Sequence, residues 1–206
     1  MSKTLFVHVP NGVVRDSNLS SIDFCVLSRL LFLRFISQSQ RTVEIDVSKF
    51  KKVLHISDNR TLKSSFRRLK TMGYINNNVE LNRRTTSSVE INLDKFDLRN
   101  NFTRLPASIF KYITEIGYPG IRLLFYYESY INRKDSLRRY CYPSQETIKI
   151  ETKLSNRSII DYNKRLAKTK LLKVTQHDPL PEYDEIGEVN WNRWNNHYDV
   201  RLENLL

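Results

Sequence analysis

A short run of side chains that can hydrogen-bond to nucleic-acid bases occurs twice in the sequence. Residues 59–62 read Asn-Arg-Thr-Leu, and residues 156–159 read Asn-Arg-Ser-Ile. An arginine guanidinium can donate two hydrogen bonds to one guanine, an asparagine amide pairs similarly with adenine, and an apolar side chain can contact a thymine methyl group. With their neighbours, the two runs supply the candidate base-contacting residues Asn59, Arg60, Lys63, Ser64, Asn156, Arg157, Ile160 and Asp161.

The charge of the chain favours a polyanionic partner. Its 206 residues include 34 lysines and arginines against 22 acidic residues, a formal net charge of +12. Neutralising phosphates releases condensed counterions, so such a surface binds nucleic acid, with an anionic membrane surface as the second choice. Six basic residues near the repeated runs and in one polar loop are candidate phosphate contacts: Arg67, Lys70, Arg83, Arg84, Lys164 and Lys168.

Two long helices must position these side chains. In a helix predicted over residues 58–72, Leu62, Phe66 and Leu69 share one face, and most of the cationic residues fall towards the other. A helix predicted over residues 156–170 has a similar apolar face. A single cationic face could simply be solvated, but its occurrence in two copies favours contact with DNA, with the helix starts nearest the base edges.

The elements around the long helices also come in two copies. Each half has an extended segment with a proline, an apolar helix, a β-prone link, a short helix, a tight turn, the long helix and a hairpin. In the first half the predicted ranges are 22–36 for the apolar helix, 42–45 for the link, 48–54 for the short helix, and 74–81 with 88–93 for the hairpin. In the second half the apolar helix is predicted over 119–132, the link over 139–142, the short helix over 144–152, and the hairpin over 171–176 with 197–202. The sequence therefore predicts an α+β protein of two tandem winged-helix domains, residues 1–98 and 99–206, that meet near residues 97–104.

The second half carries an explicit family resemblance. Residues 142–148 (Tyr-Pro-Ser-Gln-Glu-Thr-Ile) and 154–159 (Leu-Ser-Asn-Arg-Ser-Ile), continued by residues 166–174, resemble the helix-turn-helix and wing of Gram-positive plasmid and phage replication proteins. The resemblance implies a winged helix and binding to an origin of replication, although transcriptional regulators share such motifs. The glycine usual in the turn is replaced by His55 or Lys153, which disfavours a sharp turn with positive φ.

Catalytic and metal-binding signatures are missing from the sequence. There is no phosphate-binding glycine-rich loop, HExxH motif or nucleophile elbow, so we predict a non-enzyme without a cofactor. The four histidines have no metal-like spacing, and we predict no metal site. Cys25 and Cys141 are predicted to be reduced core thiols. Glu128, within an apolar helix, is expected to pair with a nearby arginine.

An enlarged acidic loop is predicted in the second wing, at residues 178–196. Its five acidic residues against one arginine would repel phosphates. Trp191 and Trp194 lie three positions apart within it, and two readings compete. They could pack back onto the domain, or they could form an exposed anchor for a protein partner.

These features lead to one favoured function and two alternatives. The favoured function is a sequence-specific double-stranded-DNA-binding initiator of plasmid or phage replication that recruits host replication proteins. The alternatives are a transcriptional repressor of a similar element, and a protein-interaction module without DNA binding, which burial of Arg60 and Arg157 would favour. No run approaches the roughly 18 apolar residues of a membrane span, and we expect no membrane partner. We expect a cytoplasmic, nucleoid-associated protein that could self-associate.

Overall fold

The chain is a mixed α+β protein with small antiparallel sheets. The structure, a computed structural model, describes residues 4–39, 41–81, 86–96, 101–135, 137–177, 180–183, 189–192 and 195–206, the side chains of 180–183 and 189–192 excepted. Across these residues the elements of the first half are β1 (Phe6–Pro10), α1 (Asn11–Val14), α2 (Ser21–Ser37), β2 (Thr42–Ile45), α3 (Val47–Leu54), α4 (Asn59–Thr71), β3 (Ser87–Glu90) and a 3-10 turn at Leu93–Lys95.

The second half follows nearly the same order. Its elements are β4 (Phe102–Pro106), a 3-10 helix at Ala107–Tyr112, α5 (Ile113–Glu128), α6 (Gln145–Thr152), α7 (Asn156–Lys168), β5 (Leu172–Thr175), β6 (Leu180–Tyr183), β7 (Val189–Asn192), β8 (His197–Val200) and a 3-10 turn at Leu202–Asn204. The helices expected from the sequence are therefore present, most within two residues of their predicted ends.

Helix α5 departs most from its predicted range. It begins at Ile113 and is interrupted at Gly117, whose φ of 66° leaves the helical region before Pro119 starts the longer segment. It also ends at Glu128 instead of residue 132. Beyond that point the backbone tightens, because Ile131 donates its amide hydrogen to the carbonyl three residues back.

The first predicted hairpin is confirmed only at its base. Strand β3 forms its ladder with β2, and of residues 74–81 only the start pairs beside it: the bridge between Ile75 and Ile91 is flanked by backbone hydrogen bonds from Asn76 to Glu90 at 2.9 Å and from Asn92 to Tyr74 at 3.0 Å. The side chain of Asn77 replaces the ladder there: its amide accepts from the backbone of Glu90 at 2.9 Å and donates to the carbonyl of Ser88 at 2.9 Å.

The second predicted hairpin is confirmed. Strands β5 and β8 are antiparallel, with Leu172 opposite Val200. The predicted link at 139–142 adds only a bridge from Cys141 to Tyr198. Within the acidic loop, β6 and β7 form a further antiparallel pair.

The two halves share one contiguous core. Helices α2 and α5 pack against each other, and the rings of Phe24 and Phe125 meet edge to face at 5.4 Å. Cys25 and Cys141 are free and buried, as predicted. The boundary predicted at residue 98 lies outside the described residues, but the shared core means that neither half buries its apolar surface alone.

A two-stranded ribbon also joins the halves. Strand β1 pairs antiparallel with β4, and His8 at its centre faces Arg104. These residues occupy matching places in the repeat, each two positions before a proline. The backbone hydrogen bonds that flank the ribbon also match: the amide of Asn11 donates to Asn101 and the amide of Ala107 donates to Leu5, both at 2.8 Å. Antiparallel pairing of equivalent segments creates an approximate two-fold axis through the ribbon.

Candidate nucleic-acid interface

Each long helix begins after a short helix and a left-handed turn. His55 ends α3 with a φ of 51°, and Lys153 ends α6 with a φ of 53°. A positive φ therefore occurs at both turns, although the missing glycine disfavours it. At His55 the reason is visible, because the next amide donates to the carbonyl of Lys51 at 3.0 Å and satisfies the end of α3.

Side-chain caps set where the long helices start. The Asp58 carboxylate accepts from the amide of Thr61 at 2.6 Å, and the Ser155 hydroxyl accepts from the amide of Ser158 at 3.1 Å. Each cap satisfies one of the amides left without a partner at a helix N-terminus. The caps thereby place residues 59 and 156 in the first helical turn, where base-contacting side chains are expected.

Helix α4 is fixed to the protein by its inner face. Leu62, Phe66 and Leu69 are buried. Arg68 binds the buried carboxylate of Asp23 through two hydrogen bonds, both 2.8 Å long. This bonding raises the pKa of Arg68. Arg68 therefore holds α4 on α2 and is not part of the outward cationic face.

The outward face of α4 carries the predicted residues. Arg60, Lys63 and Arg67 are exposed, and Ser64 is half-buried. Two further predicted residues already hold protein partners: Asn59 accepts from Lys51 at 2.8 Å, and Lys70 donates to Asn78 at 2.9 Å. Both contacts involve flexible side chains that a ligand could displace. No acidic residue interrupts α4.

Two grooves border α4, and the sequence reasoning missed residues in both. One, of about 640 Å³, lies between α3 and the start of α4 and is lined by Lys51 and Lys52. The other, of about 500 Å³, lies between α4 and residues 77–81 and is lined by Asn77 and Asn78. The adjacent lysines on the short helix and the run of three asparagines after α4 were the available signals.

Helix α7 repeats the arrangement with a different outer face. Ile159 and Leu166 are buried, and Asn163 accepts a hydrogen bond from the hydroxyl of Tyr127 on α5 at 2.9 Å. The predicted contact residues all point outward: Asn156, Arg157, Ile160, Asp161, Lys164 and Lys168 are exposed. Ile160 is an exposed apolar side chain and Asp161 an exposed acid, so α7 is the less cationic of the two helices.

Comparison with known proteins adds no assignment. The chain matches no protein-family model and no curated protein sequence. The role of the interface therefore rests on its own residues and on the resemblance in residues 142–174.

Several predicted residues lie beyond what the structure describes. Arg83, Arg84 and Trp194 fall outside the described residues. Trp191 lies in β7, opposite Pro181, but its side chain is not described. Whether the tryptophans pack or bind a partner stays a prediction.

Glu128 has the partner expected for it. Arg133 binds both carboxylate oxygens, at 2.9 and 2.5 Å. Burial raises the pKa of Glu128, while Arg133 opposes that shift. The pair stabilises the end of α5, and a catalytic acid is not needed to explain the carboxyl group.

The described residues hold neither a metal-binding cluster nor a membrane-spanning helix. No group of three or more histidine, cysteine or acidic residues is placed to hold a metal ion in that part of the chain. Within the same ranges, no helix is long and apolar enough to cross a membrane.

Proposed function

We propose that each half of the chain is a winged helix and that the protein binds double-stranded DNA. One observation carries the proposal: α4 and α7 each follow a capped helix-turn unit and bury one apolar face, while Arg60 and Arg157 stay exposed at matching positions. A helix of this kind fits the major groove. A module that only binds protein would be favoured by burial of those two arginines, and both are exposed.

The distribution of charge supports a division between residues that contact bases and residues that bind phosphates. Lys51 and Lys52 of α3 line one of the two grooves beside α4, and the cationic residues of α4 line the other, so they can neutralise phosphates on either side of a reading helix. In α7, Ile160 and Asp161 cannot attract phosphates. They suit contact with base edges instead, at a thymine methyl group and a cytosine amino group.

The ribbon between the halves supports a single extended site. The antiparallel pairing relates β1 to β4 by an approximate two-fold axis, and we propose that the same axis relates the helices attached to them. Two reading helices related in this way meet half-sites in opposite orientations along one duplex. Because α4 and α7 differ in sequence, the two half-sites would differ as well.

The resemblance in residues 142–174 supports initiation of plasmid or phage replication as the biological role, on the nucleoid and together with host replication proteins. A repressor would use the same interface on a different site. Cloning the gene with candidate origin DNA separates these roles, because an initiator supports autonomous replication of that DNA. If the gene silences a neighbouring promoter and no fragment replicates, the repressor is correct.

DNA binding itself is tested by selection from a pool of randomised duplexes, followed by fluorescence anisotropy at several salt concentrations. We expect one enriched sequence and an affinity that falls steeply with salt, with a slope set by the number of phosphates contacted. Failure to enrich any sequence, together with affinity independent of salt, would refute the proposed function.

A further inference from the structure

The contacts of α5 suggest a role beyond DNA contact itself. Arg122 on α5 is fully buried, yet the hydrogen bonds described for it all go to backbone carbonyls. Its guanidinium donates to Asp16 at 2.7 Å and to Leu19, both in the segment that leads into α2. It also donates to Thr152 at 3.2 Å and Glu151 at 3.3 Å, the last two residues of α6.

These four carbonyls belong to both halves of the chain. Those of Glu151 and Thr152 are left without helical partners at the end of α6, where the helix dipole is negative, so a cation there is favourable. The planar guanidinium presents several donors in a fixed geometry and can bridge two pairs of acceptors at once. Arg122 therefore connects the end of α6, which leads into α7, to the first half of the chain.

Tyr118 makes the corresponding contact in the first half, at the end of the short helix α3 that leads into α4. It lies one helical turn before Arg122 on α5, and residues at this spacing share a face. Its hydroxyl donates to the carbonyl of Leu54 at 2.8 Å, at the end of α3. One face of α5 thus contacts the C-terminal ends of both short helices, α3 and α6, immediately before the turns that lead into α4 and α7.

We propose that Tyr118 and Arg122 are positioning residues that fix the separation of α4 and α7, so that the chain accepts only one spacing between its two DNA half-sites. This inference rests on the proposed DNA binding. A further contact between the halves supports the rigidity: Arg15 donates to the carbonyl of Ser129 at 2.9 Å and lies over the ring of Tyr130 at 3.8 Å.

The test uses the full chain and the duplex recovered by selection, with one or two base pairs inserted or removed at its centre. For the unchanged protein, a single insertion should lower affinity about 100-fold, the lower end of the gain from linking two binding modules. Arg122→Lys keeps the charge but replaces the planar fork with a compact ammonium group. In that variant the same insertion should cost less than about tenfold, because loosened halves can follow the displaced half-site.

Two matched controls alter contacts that stay within the second half. Arg133→Lys changes an arginine that binds Glu128 and the carbonyl of Val200. Tyr127→Phe removes a tyrosine hydroxyl of α5, as Tyr118→Phe does, but one that bonds to α7 in the same half. Both controls should keep the full spacing penalty, whereas Tyr118→Phe should reduce it. Equal penalties in all variants, or none in the unchanged protein, would overturn the inference.

A readout without DNA separates this inference from the proposed function. Spin labels at Glu44→Cys and Lys173→Cys place one probe on an exposed strand position of each half, while both native thiols are buried. The distance distribution should be narrow in the otherwise unchanged chain and broader with Arg122→Lys. A broad distance distribution in the labelled chain that keeps Arg122 refutes the positioning role, even if DNA binding stands. An unchanged distribution in the Arg122→Lys variant refutes it as well. If the distances behave as expected and no DNA is bound, the proposed function alone fails.

Discussion

Arg67 and Arg68 are neighbours on α4, but Arg67 faces outward and Arg68 binds a buried carboxylate. Substitution of Arg68 should therefore lower stability, whereas substitution of Arg67 should weaken DNA binding. Arg68 binds Asp23, whose side chain is 1% exposed. Removing one partner of a buried ion pair costs about 3–5 kcal/mol. Two features reduce that cost here. The Arg68 side chain is itself 47% exposed, and the carboxylate keeps hydrogen bonds at 2.6 Å from Ser20 and Ser65.

We therefore expect Arg68→Met to lower the free energy of unfolding by about 2–3 kcal/mol. For a chain of this size, the melting temperature should fall by about 5–10 °C. Methionine is chosen because it retains most of the aliphatic stem. Urea unfolding followed by circular dichroism measures the free energy directly.

Arg67→Met is the matched control. Arg67 is exposed, so its substitution should change stability by less than about 0.5 kcal/mol. It should instead reduce the slope of log affinity against log salt by about one, through loss of one phosphate contact. Below its melting temperature, Arg68→Met should keep the original slope. If Arg67→Met destabilises as much as Arg68→Met, or if Arg68→Met alone changes the slope, the assignment of inner and outer faces is wrong.

Three further outcomes are expected. Arg60→Ala or Arg157→Ala should each cost about 1–3 kcal/mol on the selected duplex and relax selection mainly at one base pair; equal losses on random duplexes, in the same anisotropy assay, would show that the helix does not read bases. His55→Gly should stabilise the fold by about 0.5–1 kcal/mol in urea unfolding, because glycine adopts positive φ without the steric cost of a side chain, and destabilisation would contradict the turn geometry. Burial raises the pKa of Cys141 to about 12 from an ordinary 9.0, and that of Cys25 in the same direction. Only the unfolded thiols then ionise just above 9.0, so the free energy of unfolding should fall as pH rises through that range, and alkylation should require urea; rapid alkylation of the native protein would disprove their burial.

Local sequence signals predicted the elements that carry the candidate site. The spacing of Leu62, Phe66 and Leu69 is a property of one helix, and a capping residue such as Asp58 acts within three positions. Their agreement with the structure follows from that short range. The pairing of Glu128 with an arginine five residues away could be expected for the same reason.

Features that depend on distant parts of the chain could not be predicted. Arg122 looks like an ordinary charge that interrupts an apolar helix, because its acceptors lie about 30 and 100 positions away. The expected first hairpin ends after its base, where Asn77 satisfies backbone groups with its side chain, and alternation of apolar residues does not register such a contact. The positive φ of Lys153 likewise depends on its tertiary setting, since its residue type disfavours that conformation.

The ribbon of β1 and β4 constrains how the protein can be made. During synthesis, β1 leaves the ribosome with its hydrogen-bonding edge unpaired and must wait for the whole first half to be translated before β4 arrives. Contacts this distant in sequence form slowly, and an open strand edge is prone to pair with another chain. The nascent first half is therefore the stage at which two copies are most liable to exchange strands, and slow translation between β1 and β4 would favour intertwined dimers over pairing within one chain.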